Sequence, residues 1–216
     1  SSGRQNSPLM RPFDLDPDFI EWVKSGDWKA AYEMQFETMM PTAPARKLFK
    51  GEYAKEMTND DARKVSFHAF KLLQGLSAMG LPSKMERYFT REEANQAWSC
   101  TNLSHYLERT ASTLSTLPAE IAAPLLTDLL TTAEGAVEGK QQYAVMLRFG
   151  HAETLMPLLS LMHLDGCYYL TNYFDTVALH WKDFHVVPMA SNLQMILVKS
   201  KSGKMYVLSL IHISEP

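Results

Sequence analysis

The chain has 216 residues, 46% of them hydrophobic and 21% charged, which suits one large globular domain or two small ones and excludes a disordered or collagen-like chain. Twenty-one Lys and Arg stand against 24 Asp and Glu, for a net charge of −3, and no basic run exceeds two residues, so the footprint of a nucleic-acid binder is absent and any anion must be held locally. No apolar run approaches the roughly 18 residues of a membrane span, and the opening Ser1-Ser2-Gly3-Arg4 carries neither an initiator Met nor a signal-like pattern, as in a piece of a longer chain.

Through residue 140, apolar residues recur at spacings of three and four with Gly and Pro at the breaks, which predicts a succession of helices. Asp16 followed by Pro17 is an N-cap with proline in the first helical position, ahead of Phe19, Ile20, Trp22 and Val23 and a stop at Ser25-Gly26. Asp27 is placed to cap the next helix, from Trp28 to about Met40. Thr58 and Asp61 make a capping-box-like start, after which Ala62, Val65, Ala69, Leu72, Leu73, Leu76 and Met79 form one stripe that ends at Gly80 and Pro82. Thr90 to Glu93 repeats the capping pattern ahead of Ala94, Ala97, Trp98 and Thr101. Pro118 opens a last helix through Leu125, Leu126, Leu129, Leu130 and Ala133 to Gly139.

After Gly139 the pattern changes. Tyr143 to Phe149 is a short apolar run bounded by Gly150, as a buried strand would be. Thr154 to Met162 reads as a helix stopped near Asp165-Gly166. Leu193 to Val198 and Met205 to Leu208 flank Lys201-Ser202-Gly203-Lys204, which predicts two antiparallel strands joined by a Gly-containing turn. The aromatic, His-rich stretch from Cys167 to His185 has no clear period. A helical region, residues 1–140, therefore precedes a mixed α/β region, residues 141–216, with residues 1–14 assignable to either. Cys100 and Cys167 allow one bridge or two free thiols. The histidines at 68, 105, 163, 180, 185 and 212 show no metal-ligand spacing, and no Ser nucleophile elbow or phosphate-cradling Gly-rich loop occurs.

The informative junction is Leu147-Arg148-Phe149-Gly150-His151-Ala152-Glu153-Thr154. A strand that ends at Gly and turns directly into a helix places the turn where open α/β folds bind ligands. The first amides of the helix lack intrahelical partners, and the helix dipole adds about half a positive charge there, so an anion is favoured without a basic run. His151 supplies a donor to an anionic oxygen. A carboxyl beside a bound phosphate holds its proton more readily, and a protonated carboxyl over a leaving oxygen is a general acid. The plainer alternative makes Glu153 a helix-start acid and His151 a cap.

The run from Leu147 to Met162 resembles the His-Ala-Glu segment of the histidine acid phosphatases, specifically the multiple inositol polyphosphate phosphatase group that degrades phytate. Cys167-Tyr168-Tyr169-Leu170-Thr171-Asn172-Tyr173-Phe174 and Val187-Pro188-Met189-Ala190-Ser191-Asn192-Leu193 are similar to the same group, especially its bacterial members. The likeness is specific from about residue 141 to 200. Ser1 to Asp14 and Thr42-Ala43-Pro44 resemble more loosely the start of the group's inserted helical cap, and Leu208 to Pro216 departs from it.

The resemblance implies an α/β histidine-phosphatase domain, present in part, with a mostly helical inserted cap. It implies that Glu153 is the proton donor to the leaving inositol oxygen, that His151 contacts the scissile phosphate, and that Thr154 lies close to substrate. Arg148 is a further candidate contact. The substrate implied is an inositol polyphosphate, with no metal or organic cofactor, since the phosphoryl group is carried on imidazole, and the setting is secreted, periplasmic or outer-membrane associated. The nucleophilic His of that group sits in Arg-His-Gly-x-Arg-x-Pro, and none of the seven histidines here follows an Arg. The motif is expected upstream of Ser1, and residues 1–216 alone are expected to be nearly inactive. Two rival expectations are a non-catalytic helical scaffold and a non-hydrolytic inositol phosphate binder. The second requires cations such as Arg11, Lys24, Lys29, Arg46, Lys47 or Arg63 to converge on the His-Ala-Glu turn.

Overall fold

The computed structural model describes residues 8–81 and 87–212, and the fold is mostly helical. After a 3-10 turn at Pro12–Asp14 come α1 (Pro17–Ser25), α2 (Trp28–Met39), α3 (Ala43–Leu48), α4 (Glu52–Glu56), α5 (Asn59–Ala78) and α6 (Arg91–Arg109). There follow α7 (Leu117–Glu120), α8 (Ala123–Val137) and α9 (Ala152–Leu161), a second 3-10 turn at Phe174–Thr176, then α10 (Val177–His180), α11 (Asp183–Val186), β1 (Asn192–Lys199) and β2 (Met205–His212). The chain divides into two compact units. One takes the described residues up to Gly26, with Tyr106–Asn172 and those from Leu179 onward, and the other takes the described residues of Asp27–His105 with Tyr173–Ala178. Both draw on residues from either side of position 140, where the sequence pattern placed its boundary.

Helix starts follow the local chemistry. The Asp16 carboxylate accepts from the Phe19 amide at 2.8 Å, ahead of Pro17, whose missing N–H costs nothing in the first turn. Thr58 Oγ1 accepts from the Asp61 amide at 3.1 Å. At α6 the box is complete: Thr90 Oγ1 accepts from Glu93 N at 3.1 Å and Glu93 Oε2 from Thr90 N at 2.7 Å. Asp27 differs from expectation, since its backbone is already helical and its side chain makes no capping bond.

In the second unit Met40, Ala69, Phe70, Phe89, Ala97 and Cys100 form a core, flanked by Phe36, Phe67, Leu73 and Trp98. Burying a side chain such as Phe70 is worth about 1.5–3 kcal/mol. A smaller cluster joins Ala45, Met57 and Ala62, and Ser66 Oγ accepts from the Ala45 amide at 3.1 Å. The buried face of α5 is thus Ala62, Ser66, Ala69 and Phe70. Leu72 and Met79 of the expected stripe are exposed, because Phe70, one position over, offers more apolar area to the core.

In the first unit Ala122, Leu125 and Leu158 pack together, with Leu9, Met10, Leu126, Leu129, Leu161 and Leu193 against them. This cluster brings α8, α9, β1 and the segment before the first 3-10 turn to one place. The helix expected from Pro118 to Gly139 is broken at Ile121–Ala122. Pro124 has no N–H to give the Glu120 carbonyl and crowds it, which ends α7 and starts α8. The irregular stretch after α9 is anchored by Trp181, fully buried, whose Nε1 donates to the Cys167 carbonyl at 3.2 Å.

β1 and β2 pair antiparallel in the register Asn192↔His212 to Lys199↔Met205. Gly203 turns the chain at φ 83°, a left-handed conformation that glycine adopts without strain. The strand expected at Tyr143–Phe149 is not formed. Residues 141–150 carry no regular structure, and Tyr143 and Phe149 are 72% and 84% exposed. A strand exists only through hydrogen bonds to a neighbour, and β1 and β2 pair with each other alone among the described residues. No helix among those residues is long and apolar enough to cross a membrane.

Candidate functional site

The His-Ala-Glu turn lies wholly within the first unit. His151 is the N-cap of α9, with extended backbone at φ −115° and ψ 172°. The first intrahelical bond runs from the Leu155 amide to the His151 carbonyl at 3.2 Å, so the Ala152 and Glu153 amides stand ahead of the helical ladder. Thr154, the third helical residue, closes the cap from the other side. Its Oγ1 accepts from the His151 amide at 3.2 Å and donates to the Met10 carbonyl at 2.6 Å. Gly150 makes this closure fit, since a Cβ there would stand 3.0 Å from Thr154 Oγ1 and 2.8 Å from the Met10 Cε. Pro157 lies inside α9 and cannot donate to the carbonyl four residues earlier, that of Glu153. Glu153 therefore sits on a helical turn loosened on its own backbone.

Glu153 is half-buried and has no ion-pair or hydrogen-bond partner among the described residues. His151 is exposed, and its Nε2 stands 2.6 Å from Arg11 Nη1. The Phe13 ring meets the imidazole edge-on at 6.4 Å between centroids. Arg11 lies 5.0 Å above Phe13 and Arg109 lies 6.0 Å from the same ring. An imidazole, a carboxyl and a guanidinium are thus gathered at one helix start, a set able to hold an anionic oxygen and to transfer a proton.

The other two expected contacts are committed elsewhere in this state. Thr154 is 2% exposed and its hydroxyl is occupied by Met10 and His151. Arg148 faces α8, with Nε 2.8 Å from Asp128 Oδ2 and Nη2 2.8 Å from Thr132 Oγ1. Of the cations weighed as convergent, Arg11 reaches the turn, while Arg46 bonds Asn59 and Lys47 pairs with Glu93 at 2.9 Å.

Other candidate groups form no second site of this kind among the described residues. Among the described residues no three His, Cys, Asp or Glu are grouped as a metal site would require. His163 stacks on Tyr168 at 3.8 Å and His180 on Tyr169 at 4.9 Å. Cys100 and Cys167 are both free thiols and both buried. Burial pushes the Cys100 thiol up to about 12 and also raises Cys167, with Asp165 adding to the second, so neither is prepared as a nucleophile. Met10 and Phe13 are the site neighbours that sequence patterning did not assign, and Arg11 was one of six cations weighed there. The available signal was a guanidinium next to an aromatic ring just ahead of the first cap, with nothing to tie it to residue 151.

Residues 6–212 match the family described as the histidine phosphatase superfamily (branch 2). The chain is also similar to human multiple inositol polyphosphate phosphatase 1, at 27% identity over 207 residues. That alignment takes in 92% of this chain and 42% of the human protein, so the chain spans less than half of that relative's length.

Proposed function

Since the chain belongs to branch 2 of the histidine phosphatase superfamily, we propose that it supplies the proton donor and one phosphate contact of a phosphomonoesterase acting on inositol polyphosphates. One observation carries this: Glu153 lies half-buried at the second position of α9 with no ion-pair or hydrogen-bond partner among the described residues, next to an imidazole that Arg11 touches. An acid spent in a salt bridge could not give up a proton, and Glu153 is not so spent among the described residues.

In the reaction a nucleophilic imidazole forms a bond to phosphorus as the bond from phosphorus to the inositol oxygen breaks. The departing oxygen takes the Glu153 proton, and water later releases phosphate from the phosphoimidazole. His151 and the first amides of α9 stabilise the negative oxygens through this change. The nucleophile belongs to an Arg-His-Gly-x-Arg-x-Pro segment, which this sequence does not contain. A general acid alone contributes about 10² to 10⁴-fold, many orders short of what hydrolysis of a phosphate monoester requires. Residues 1–216 by themselves therefore turn over phytate or a chromogenic phosphate ester no faster than a small fraction of enzyme rates. The exported setting of the similar group follows as part of the same proposal.

The test is Glu153→Gln in a polypeptide that carries both this chain and the nucleophile segment. Glutamine keeps the shape and loses the proton. The expected result is a fall in kcat of about 10² to 10⁴-fold with KM changed little, for phytate and for a chromogenic ester. Full activity in that variant removes Glu153 from the reaction and the assignment of the site with it.

A further inference from the structure

Arg11 is separated from His151 by 140 positions and lies outside residues 141–200, where the resemblance is specific, yet the two side chains touch. Three contacts hold the guanidinium. Its Nε and Nη2 stand 2.7 and 2.6 Å from Asp14 Oδ2, its plane lies 5.0 Å above Phe13, and its Nη1 is 2.6 Å from His151 Nε2. The backbone is fixed one residue earlier, where the Met10 carbonyl accepts from Thr154. Phe13 in turn is flanked by Arg109, which also lies 5.5 Å from Phe19 on α1.

A guanidinium donates only, since it has no lone pair to offer. His151 Nε2 must then be the acceptor, and the single proton of the neutral imidazole resides on Nδ1. We propose that Arg11 is a positioning residue that holds His151 as the Nδ1–H tautomer. Where the site acts as described above, the phosphate oxygen is met by Nδ1–H, and Nε2 is closed to substrate. The consequence for phosphate rests on the phosphatase assignment; the tautomer does not.

Long-range proton–nitrogen correlation spectra of the imidazole in the 216-residue chain, recorded with His151 neutral, distinguish the two forms, and His151→Asn identifies the signals. The expected spectrum is the Nδ1–H pattern. Arg11→Ala is expected to lose it in favour of Nε2–H, and Arg11→Lys, which restores a donor, to recover part of it. Asp14→Asn, which removes the anchor of the guanidinium, gives an intermediate loss. An Nε2–H pattern in the unaltered chain overturns the proposal without any variant having to fold. So does an Nδ1–H pattern that survives Arg11→Ala. If the spectra respond as expected while Glu153→Gln keeps full activity in the complete enzyme, the phosphatase assignment falls and the role of Arg11 stands.

Discussion

Thr154 is the point at which the N-terminal segment, the cap and the helix are tied together, and replacing it by valine deletes that tie with almost no change of shape. The hydroxyl donates to the Met10 carbonyl at 2.6 Å and accepts from the His151 amide at 3.2 Å, in a side chain that is 2% exposed. Leaving a buried carbonyl unpaired costs about 1–3 kcal/mol, and the part-buried Met10 carbonyl falls toward the lower end. The His151 amide belongs to an exposed residue, so water replaces part of its lost bond. The added methyl of valine returns up to about 0.8 kcal/mol, for a net loss of about 1–2 kcal/mol. Native-state hydrogen exchange reads this locally, which suits a chain of two compact units better than a single melting temperature does. The His151 and Leu155 amides are expected to exchange about 5- to 30-fold faster in Thr154→Val. Thr154→Ser keeps the hydroxyl and loses a methyl, so the His151 amide stays protected. Equal protection in the valine variant, or equal loss in the serine variant, would refute the assignment of this hydroxyl as the tie.

Two further outcomes follow from the second unit and from the thiols. Burial alone pushes Glu93 up, but the hydrogen bond from the Thr90 amide and the Lys47 ammonium more than offset it and hold the carboxylate below its usual range. The folded value lies below the unfolded one, so the contribution to stability is complete above the ordinary carboxylate value of about 4.3 and is lost as pH falls through the lower folded value. Urea titrations of wild type and Glu93→Gln should accordingly differ at neutral pH and converge in acid; a gap that widens in acid contradicts the sign. At pH 8 a disulfide reagent is expected to leave native Cys100 and Cys167 untouched and to titrate both in denaturant, because both are buried and both thiols are raised. Rapid native labelling of either means that its surroundings open.

What could be read ahead of the structure was what nearby residues decide. Asp16, Thr58 and Thr90 cap their helices because each acceptor meets an amide three positions on, and the β1–β2 hairpin follows from alternation around one glycine. Three features were misread or missed in the sequence, all of them set at a distance. The Tyr143–Phe149 run has strand composition, but pairing needs a neighbour that composition does not supply. The face of α5 keeps Ala62 and Ala69 of the expected stripe but takes in Ser66 and Phe70, because Phe70 finds a core formed by residues near 40, 89 and 100. Arg11 looked like one solvated cation among six, and only packing of Leu9 and Met10 against α8 and α9 brings it to His151.

Charge pairing around the turn bears on how strongly it holds an anion. Arg11 is bound to Asp14, Arg148 to Asp128, and Arg109 has Glu108 at 3.7 Å. A phosphate arriving at His151 competes with a carboxylate for each guanidinium it approaches, and the pairs are partly exposed, so each exchange is close to balanced. Leu147 and Phe149 are exposed while Arg148 between them turns to α8. Among the described residues the Glu153 carboxyl has no such partner. Under the proposed role that freedom suits a group that gives and recovers a proton, whereas a clamp for a polyphosphate needs free cations. On the proposed reading the turn transfers a proton and orients one phosphate oxygen, and affinity for a polyanion then has to come from cations other than these paired arginines.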